Sequence, residues 1–586
     1  MNYELNAEQQ KKISTLAGVR SLWPYLADER GILLFAALAT IANSVITLSA
    51  PLLIAHVVDT YIVAKEFRGV MLFAVILLSM YIIGLFTSYA QTRLMGGMGQ
   101  RVLFNLRTKI FSKLQELPVA FFTANKAGDL ISRINNDTDK LNQFFSQTLV
   151  QFVGSIVIML GSGIFLLSMN LELGIAALAP ALGLLLFTRL VSPWVKRSNA
   201  TSLTATGGLS AEVSESLNNF KVVVAFNRRD FFRKRFEVAN EENYKTAIKA
   251  GIANNLFTPI FGFSANLAQL IVLAYGVYLI SIGHFTLGLL VGFLSYIASF
   301  YNPLRQLASL WSNFQVALAG WDRVSAILQM ENDMVVLPRA DVSTQEHGVL
   351  LEFKNVSFRY KQDKEVLHNI NLKLEKGKTY ALVGPTGGGK TTTASLMARL
   401  YDPTEGTIFL DGQDIRTFES GERTKKIGFI LQEPLLFSGT VRENILYGND
   451  SYKDFSNNDL LKVLRDAELE SLLVRFDGGL EANVTTSGDS LSLGQKQLIA
   501  FMRAVLRNPE LLILDEATAN IDTVTEQLLE DILKKLPKET TRVIIAHRLN
   551  TIENADEIFF VNSGEVRPAG SMEQAVDMLL HGKRES

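Results

Sequence analysis

Cysteine is absent from all 586 residues, which excludes disulfides, thiol catalysis and cysteine-held zinc or iron–sulfur sites. An excess of charge of either sign is missing too. Lys plus Arg number 57 and Asp plus Glu 58, for a formal charge of -1. General nucleic-acid binders carry a basic excess, so no nucleic acid is expected as a partner. Charge is also scarce, at 20% against 48% hydrophobic residues, and the mean hydropathy is +0.19. Part of the chain is therefore expected in lipid. Residues 1–27 are mixed and charged rather than a basic stretch leading into a short apolar core, so no cleavable signal peptide is expected.

The gaps in charge map an architecture. Residues 32–55, 70–90 and 147–171 contain no Asp, Glu, Lys or Arg, and a shorter run at 173–188 extends to Val191 across Arg189. The longest gap, 250–304, exceeds one span and breaks at Ser281-Ile282-Gly283-His284, as a helical hairpin would. A helix needs roughly 20 apolar residues to cross a bilayer core of about 30 Å. Six transmembrane helices follow. Short connections lie near 59–69, 170–172 and 281–285, whereas 91–146 and 192–249 are long and rich in Lys and Arg. The positive-inside tendency puts the long pair in the cytoplasm. Both are helix-compatible, so the membrane helices are expected to run well past the lipid surface.

After residue 328 the chain turns polar across 329–348, as a linker does, and from 349 onward strand patterns alternate with helix patterns. Strands are expected at 351–358, 379–383, 426–431, 511–514, 542–546 and 557–561. The fold class is thus an all-α six-helix transmembrane domain (1–328) followed, after the linker, by an α/β P-loop ATPase domain (349–586).

Gly384-Pro385-Thr386-Gly387-Gly388-Gly389-Lys390-Thr391 fits G-x-x-x-x-G-K-[ST], between an expected strand and a helix that opens with Thr392. Glycines let backbone N–H groups surround phosphates at a helix N-terminus. Lys390 is expected to reach the β- and γ-phosphates of ATP, and the Thr391 hydroxyl to bind Mg²⁺. The apolar run 511–514 ends in Asp515-Glu516. Asp515 fits the acid that organises magnesium, and Glu516 a group that polarises the attacking water.

With these elements in order, the chain resembles the ABC transporter superfamily, specifically exporter half-transporters that fuse six membrane helices to one nucleotide-binding domain. Leu491-Ser492-Leu493-Gly494-Gln495 is similar to the family's signature loop. The resemblance implies that Tyr360 stacks on adenine. It makes Gln432 the loop glutamine at the catalytic and magnesium site that links nucleotide to the membrane domain. Asp522 then lies at a dimer interface and His547 contacts the γ-phosphate. Residues 117–133 and 212–226 resemble the two coupling segments, and Asn302-Pro303-Leu304 the sixth helix. A second half-transporter is the implied partner, with ATP held between one P-loop and Ser492, Gly494 and Gln495 of the other subunit.

Two positions depart from the family pattern: Leu493 stands where glycine is usual, and Thr486 where glutamate is frequent. Such variants resemble those of heterodimeric exporters. Since Glu516 and His547 are present, the chain is read as a homodimer or as the competent half of a heterodimer. Asn43, Asn254, Asn255, Asn266, Gln269 and Asn302 either line a cavity or bridge helices. No dense charge cluster lies in the spans, so a small hydrophobic or amphipathic, drug-like or lipid-like compound is the expected substrate. The expectation is ATP-driven export or flipping from a bacterial inner membrane. The alternative is a non-transporting regulatory or channel-like member.

Overall fold

The computed structural model describes residues 3–5, 15–339, 348–361, 364–485, 491–515, 523–545, 554–570 and 572–581. The chain forms two compact units. One contains residues 6–115 and 128–329. The other joins residues 330–586 to the segment 116–127 and to the N-terminal five residues.

The first unit is helical. α1 (Thr15–Leu26) precedes α2 (Arg30–Val57) and α3 (Phe67–Glu116). The segment 116–127 carries the short α4 (Val119–Ala124). Then come α5 (Ala127–Ser132), α6 (Thr138–Gln143), α7 (Leu149–Met169), α8 (Leu171–Asn218), α9 (Phe220–Ala225), α10 (Arg229–Asn255), α11 (Phe257–Ser281) and α12 (Leu287–Leu328). Among the described residues six helical runs are long and apolar enough to cross a membrane, making this a multi-pass membrane protein. The helices outlast the bilayer, as expected: 50 residues in α3 span about 75 Å. Leu72, Leu78 and Phe86 on α3 are exposed, which suits contact with acyl chains rather than water.

Packing inside this unit centres on α12. Phe293, Tyr296 and Ile297 are fully buried against Leu166 of α7, Ala177 of α8 and Val272 of α11. Small residues set the closest approach: a Cβ on Gly288 would lie 2.1 Å from the Ala55 carbonyl oxygen of α2. Gln91 of α3 is buried and donates to Thr40 Oγ1 of α2 at 2.6 Å. Toward the ends that carry α5 and α6, the buried Asp137 carboxylate is ion-paired with Lys140 at 2.9 Å and with Arg323 of α12 at 3.0 Å.

The second unit is α/β. β1 (Val349–Lys361), β2 (Lys364–Glu375), β3 (Thr379–Val383), α13 (Lys390–Met397), β4 (Glu405–Leu410), β5 (Gln413–Asp414), α14 (Ser420–Lys426) and β6 (Ile427–Ile430) form its first half. β7 (Gly439–Thr440), α15 (Val441–Leu446), α16 (Asn457–Asp466), β8 (Asn483–Val484), α17 (Leu493–Val505), β9 (Leu511–Asp515), α18 (Thr523–Lys535), β10 (Thr541–Ile545), β11 (Glu557–Asn562), β12 (Glu565–Pro568) and α19 (Met572–His581) complete it. An antiparallel sheet has the order β2-β1-β4-β5, and a six-stranded sheet the order β12-β11-β3-β10-β9-β6. Within the larger sheet every pairing but β11–β12 is parallel.

The β9 sequence is apolar without alternation because both of its faces are covered. Leu511 and Ile513 join the core around α13, while Leu512 and Leu514 join the core around α15, α16 and α17. Burying each such side chain is worth about 1.5–3 kcal/mol. Five strands of the larger sheet were legible in the sequence, and its edge strand β12 was not. β2 and β4 of the smaller sheet were not, since half of each strand faces outward.

Candidate functional site

β3 and β9 are parallel strands separated only by β10, so the loops after β3 and β9 leave the same edge of the sheet. Open parallel sheets bind ligands at that carboxyl edge. Gly384 to Gly389 turn directly from β3 into α13. Gly384, Gly387 and Gly389 have φ of +147°, +82° and +115°, conformations that glycine adopts without strain. Gly388 is required for a different reason: a Cβ there would meet the Val561 carbonyl oxygen at 2.5 Å. Pro385 is half-buried, Thr386 exposed. The loop therefore leaves its backbone open around the N-terminus of α13, the setting for an anion.

Lys390 is buried, and its Nζ donates to the carbonyl oxygens of Gly384 at 2.9 Å and Pro385 at 3.1 Å. The ammonium is thus held inside the loop it must serve. Thr391 Oγ1 donates to Asp515 Oδ1 at 3.3 Å, and Asp515 is buried at the end of β9. Two oxygens from chain positions 124 apart converge beside the phosphate loop. Hard oxygen donors of this kind fit Mg²⁺, which Thr391 and Asp515 would hold.

Gln432 follows β6 on the same edge. Ile430 stands opposite Leu514, so Gln432 lies two residues beyond that pair and is exposed. On the other side of α13, the Tyr360 hydroxyl hydrogen-bonds the buried Thr392 at 3.0 Å. Its ring stands edge-on to Phe358 and Tyr401, at 4.8 and 5.2 Å, and is half exposed. Burial of the hydroxyl pushes the Tyr360 phenol above its ordinary range, so the group stays neutral. An exposed, neutral ring beside the phosphate helix is suited to stack a base.

Ser492 opens α17 with a reciprocal cap. Its Oγ accepts from Gln495 N at 3.2 Å, and the Gln495 side chain accepts from Ser492 N at 2.8 Å. Gln495 Nε2 also donates to the Arg475 carbonyl at 2.7 Å, which anchors the turn. Ser492 and Leu493 are exposed and Gly494 partly so. Glu516, His547, Asp522 and Thr486 lie outside the described residues; the strands leading to the first two end side by side, with Ile545 opposite Asp515.

One feature escaped sequence reasoning. A cavity of about 120 Å³ opens beside Leu431, Pro434 and Leu435, just past Gln432. Arg503 of α17 braces it by donating to the carbonyl oxygens of Asn444 at 2.8 Å and Leu435 at 3.1 Å, and lies over the rings of Phe437 and Tyr447. Burial pushes the Arg503 guanidinium below its usual range. The apolar run Pro434 to Phe437, just past Gln432 and Glu433, was the available signal. Of the span amides, Asn43 donates to Gln91 at 3.4 Å, and Asn254 exchanges two hydrogen bonds with Asn199 of α8 at 2.9 and 3.0 Å. Asn255 binds the Gly251 carbonyl of its own helix. Those two bridges tie helices together.

Similarity to known proteins runs along most of the chain. Residues 33–304 match the ABC transporter transmembrane region and residues 367–519 the ABC transporter family. The chain is 32% identical to a multidrug resistance ABC transporter ATP-binding and permease protein of Lactococcus lactis, over 92% of this chain and 90% of that one. It is 33% identical to a fatty acid ABC transporter ATP-binding/permease protein of Mycobacterium tuberculosis, over 84% and 77% respectively. A bacterial Atm1-family ABC exporter, solved with ATP bound, superposes with a TM-score of 0.76 at 26% identity, covering 95% and 97% of the two chains. The chain belongs to the ABC transporter family. Its membrane and nucleotide-binding halves in one polypeptide make it an exporter-type half-transporter.

Proposed function

We propose that this protein is an ATP-hydrolysing exporter of small hydrophobic or amphipathic compounds that works as a dimer in a bacterial inner membrane. The observation that carries the reading is the placement of two half-sites in one chain. Lys390, Thr391 and Asp515 assemble one, while Ser492 and Gly494 at the exposed N-terminus of α17 form the other. A helix N-terminus favours phosphate, so the second half completes a site on another subunit's nucleotide.

The chain's own groups divide the work. Lys390 neutralises phosphate charge, the glycine loop donates backbone N–H groups, and Glu516 orients the attacking water. Mg²⁺ held by Thr391 and Asp515 would neutralise charge on the β- and γ-oxygens. ATP shifts the equilibrium toward the closed dimer because it binds that state better, and hydrolysis removes the bridge.

Support for a partner subunit also comes from the second coupling segment. Phe220, Val222, Val224 and Phe226 on and beside α9 are exposed although they lie outside the uncharged spans. Contiguous apolar exposure away from lipid marks a contact surface. The substrate class rests on the spans, which offer amides and hydroxyls but no dense charge, and on relatives named for drugs and fatty acids. A regulatory or channel-like member would tolerate loss of the phosphate groups, and Lys390, Thr391 and Asp515 stand assembled.

The test is ATP hydrolysis by the purified chain in lipid nanodiscs, beside Glu516→Gln. Mg²⁺-dependent turnover that disappears in the variant, with ATP still bound, supports a self-sufficient homodimer. A folded, ATP-binding but inactive protein would point to a heterodimer, and near-normal turnover by the variant would remove Glu516 from its assigned role.

A further inference from the structure

The N-terminal residues 3–5 are packed far from where sequence order would leave them. Tyr3 and Leu5 are buried, at 6% and 8% exposure. Leu5 N donates to Asn125 Oδ1 at 3.0 Å, and Asn125 Nδ2 returns a bond to the Tyr3 carbonyl at 2.8 Å. One side-chain amide thus pairs with two backbone groups, as a neighbouring strand would. The same Nδ2 donates to the Phe121 carbonyl at 2.8 Å, which ties Asn125 to α4. The Tyr3 ring stands edge-on to Phe121, itself fully buried.

The other end of this short segment reaches the linker. The Tyr3 hydroxyl donates to Asp333 Oδ1 and accepts from Asp333 N at 3.3 Å. Burial, with the Asp333 carboxylate alongside, pushes the Tyr3 phenol well above its ordinary range and keeps it a donor. Two residues on, the linker is fixed to the nucleotide-binding fold. The Val335 carbonyl accepts from the buried Arg399 at 3.0 Å, and Leu337 N donates to the Arg416 carbonyl at 2.9 Å. The linker also touches the coupling segment directly, through Asn332 Nδ2 to the Glu116 carbonyl at 2.7 Å.

We propose that residues 3–5 are a positioning strap, which joins the segment 116–127, where the first coupling segment begins, to the linker of the same chain so that nucleotide-driven movement is transmitted between them. The inference rests on the ATP-driven reading above. Tyr3 and Asn125 are its positioning residues: Tyr3 spans Phe121 and Asp333, and Asn125 fastens the strap's backbone to α4. Neither belongs to the phosphate site.

Hydrogen exchange on the full chain in nanodiscs tests this, for Tyr3→Phe, Tyr3→Ala and the isosteric Asn125→Asp, with and without Mg-ATP. Without nucleotide, amides in 116–127 should exchange about fivefold faster in Tyr3→Ala and Asn125→Asp, and less so in Tyr3→Phe, which keeps the ring on Phe121. Unchanged exchange would overturn the strap whatever the nucleotide does. With ATP, the amides of 384–392 should gain protection in every variant, while the ATP-induced change in 116–127 should shrink about fivefold in the two disruptive ones. An equal response in all proteins, or none in the unaltered chain, would reduce the segment to a static clip and overturn the positioning role. Failure of 384–392 to gain protection would instead count against the ATP reading, which separates the two.

Discussion

The Thr391 hydroxyl donates to the Asp515 carboxylate across 3.3 Å, joining the first turn of α13 to the end of β9. That contact holds together the two oxygen donors proposed for magnesium. Asp515→Asn keeps the size of the side chain and removes its charge. Mg²⁺ titration of ATP hydrolysis should show the activating concentration raised, or the rate lowered, by about 10–100-fold. Nucleotide affinity measured without Mg²⁺ should change little.

Lys390 is held by two carbonyl oxygens of its own loop, which fixes the ammonium for its proposed phosphate contact. Lys390→Ala removes a charged donor worth about 1.5–3 kcal/mol. ATP affinity, read with a fluorescent nucleotide, should fall about 10–100-fold.

The loop glycines divide by mechanism, and alanine substitution separates them. Gly387 has open space around it and only its φ of +82° resists a side chain, so Gly387→Ala should cost about 1 kcal/mol. At Gly388 a Cβ would press on the Val561 backbone oxygen from 2.5 Å and on the Pro385 oxygen from 3.1 Å. Backbone cannot turn aside as a side chain does, so Gly388→Ala should cost about 2–3 kcal/mol. Paired melting curves and ATP affinities should show the second variant as the weaker by both measures.

Asp411 is predicted to give the nucleotide-binding unit an acid-sensitive anchor. Its burial opposes ionisation, but Lys376 at 2.7 Å and Lys426 at 2.5 Å outweigh it and hold the carboxyl below the usual range. A carboxyl depressed in the folded state contributes stability at neutral pH, and loses it as pH falls from about 4 through its folded value. Asp411→Asn should therefore lower the melting temperature at pH 7, by about 1–2 kcal/mol of stability. The gap between variant and unaltered protein should narrow below about pH 4.

Sequence alone carried the elements whose signal is local. The uncharged runs located the spans, since a charge in hydrocarbon is costly wherever the rest of the chain goes. The hairpin break at Ser281 to His284 is where α11 ends, and Gly283 there adopts a φ of +77°. The glycine spacing of residues 384–389 was legible because a tight turn into a helix needs those residues regardless of context. Ser492 and Gln495 could be picked out by motif, but that they form a reciprocal cap at an exposed helix start is a fact of geometry.

Tertiary structure decided what depends on distant partners. Motifs assigned Thr391 and Asp515 to one magnesium ion, but only the order β3-β10-β9 sets their side chains beside each other. Arg399 carries no local signal of burial, yet it is 3% exposed and gathers the carbonyls of Val335, Ile415 and Arg416. Asn43 and Asn254 were compatible with a cavity or a bridge until their partners on neighbouring helices were placed. Most of all, residues 3–5 and 116–127 pack with a unit that otherwise begins at residue 330. Periodicity and composition report what a segment can bury. Which surface it is buried against is settled only when the whole chain has folded.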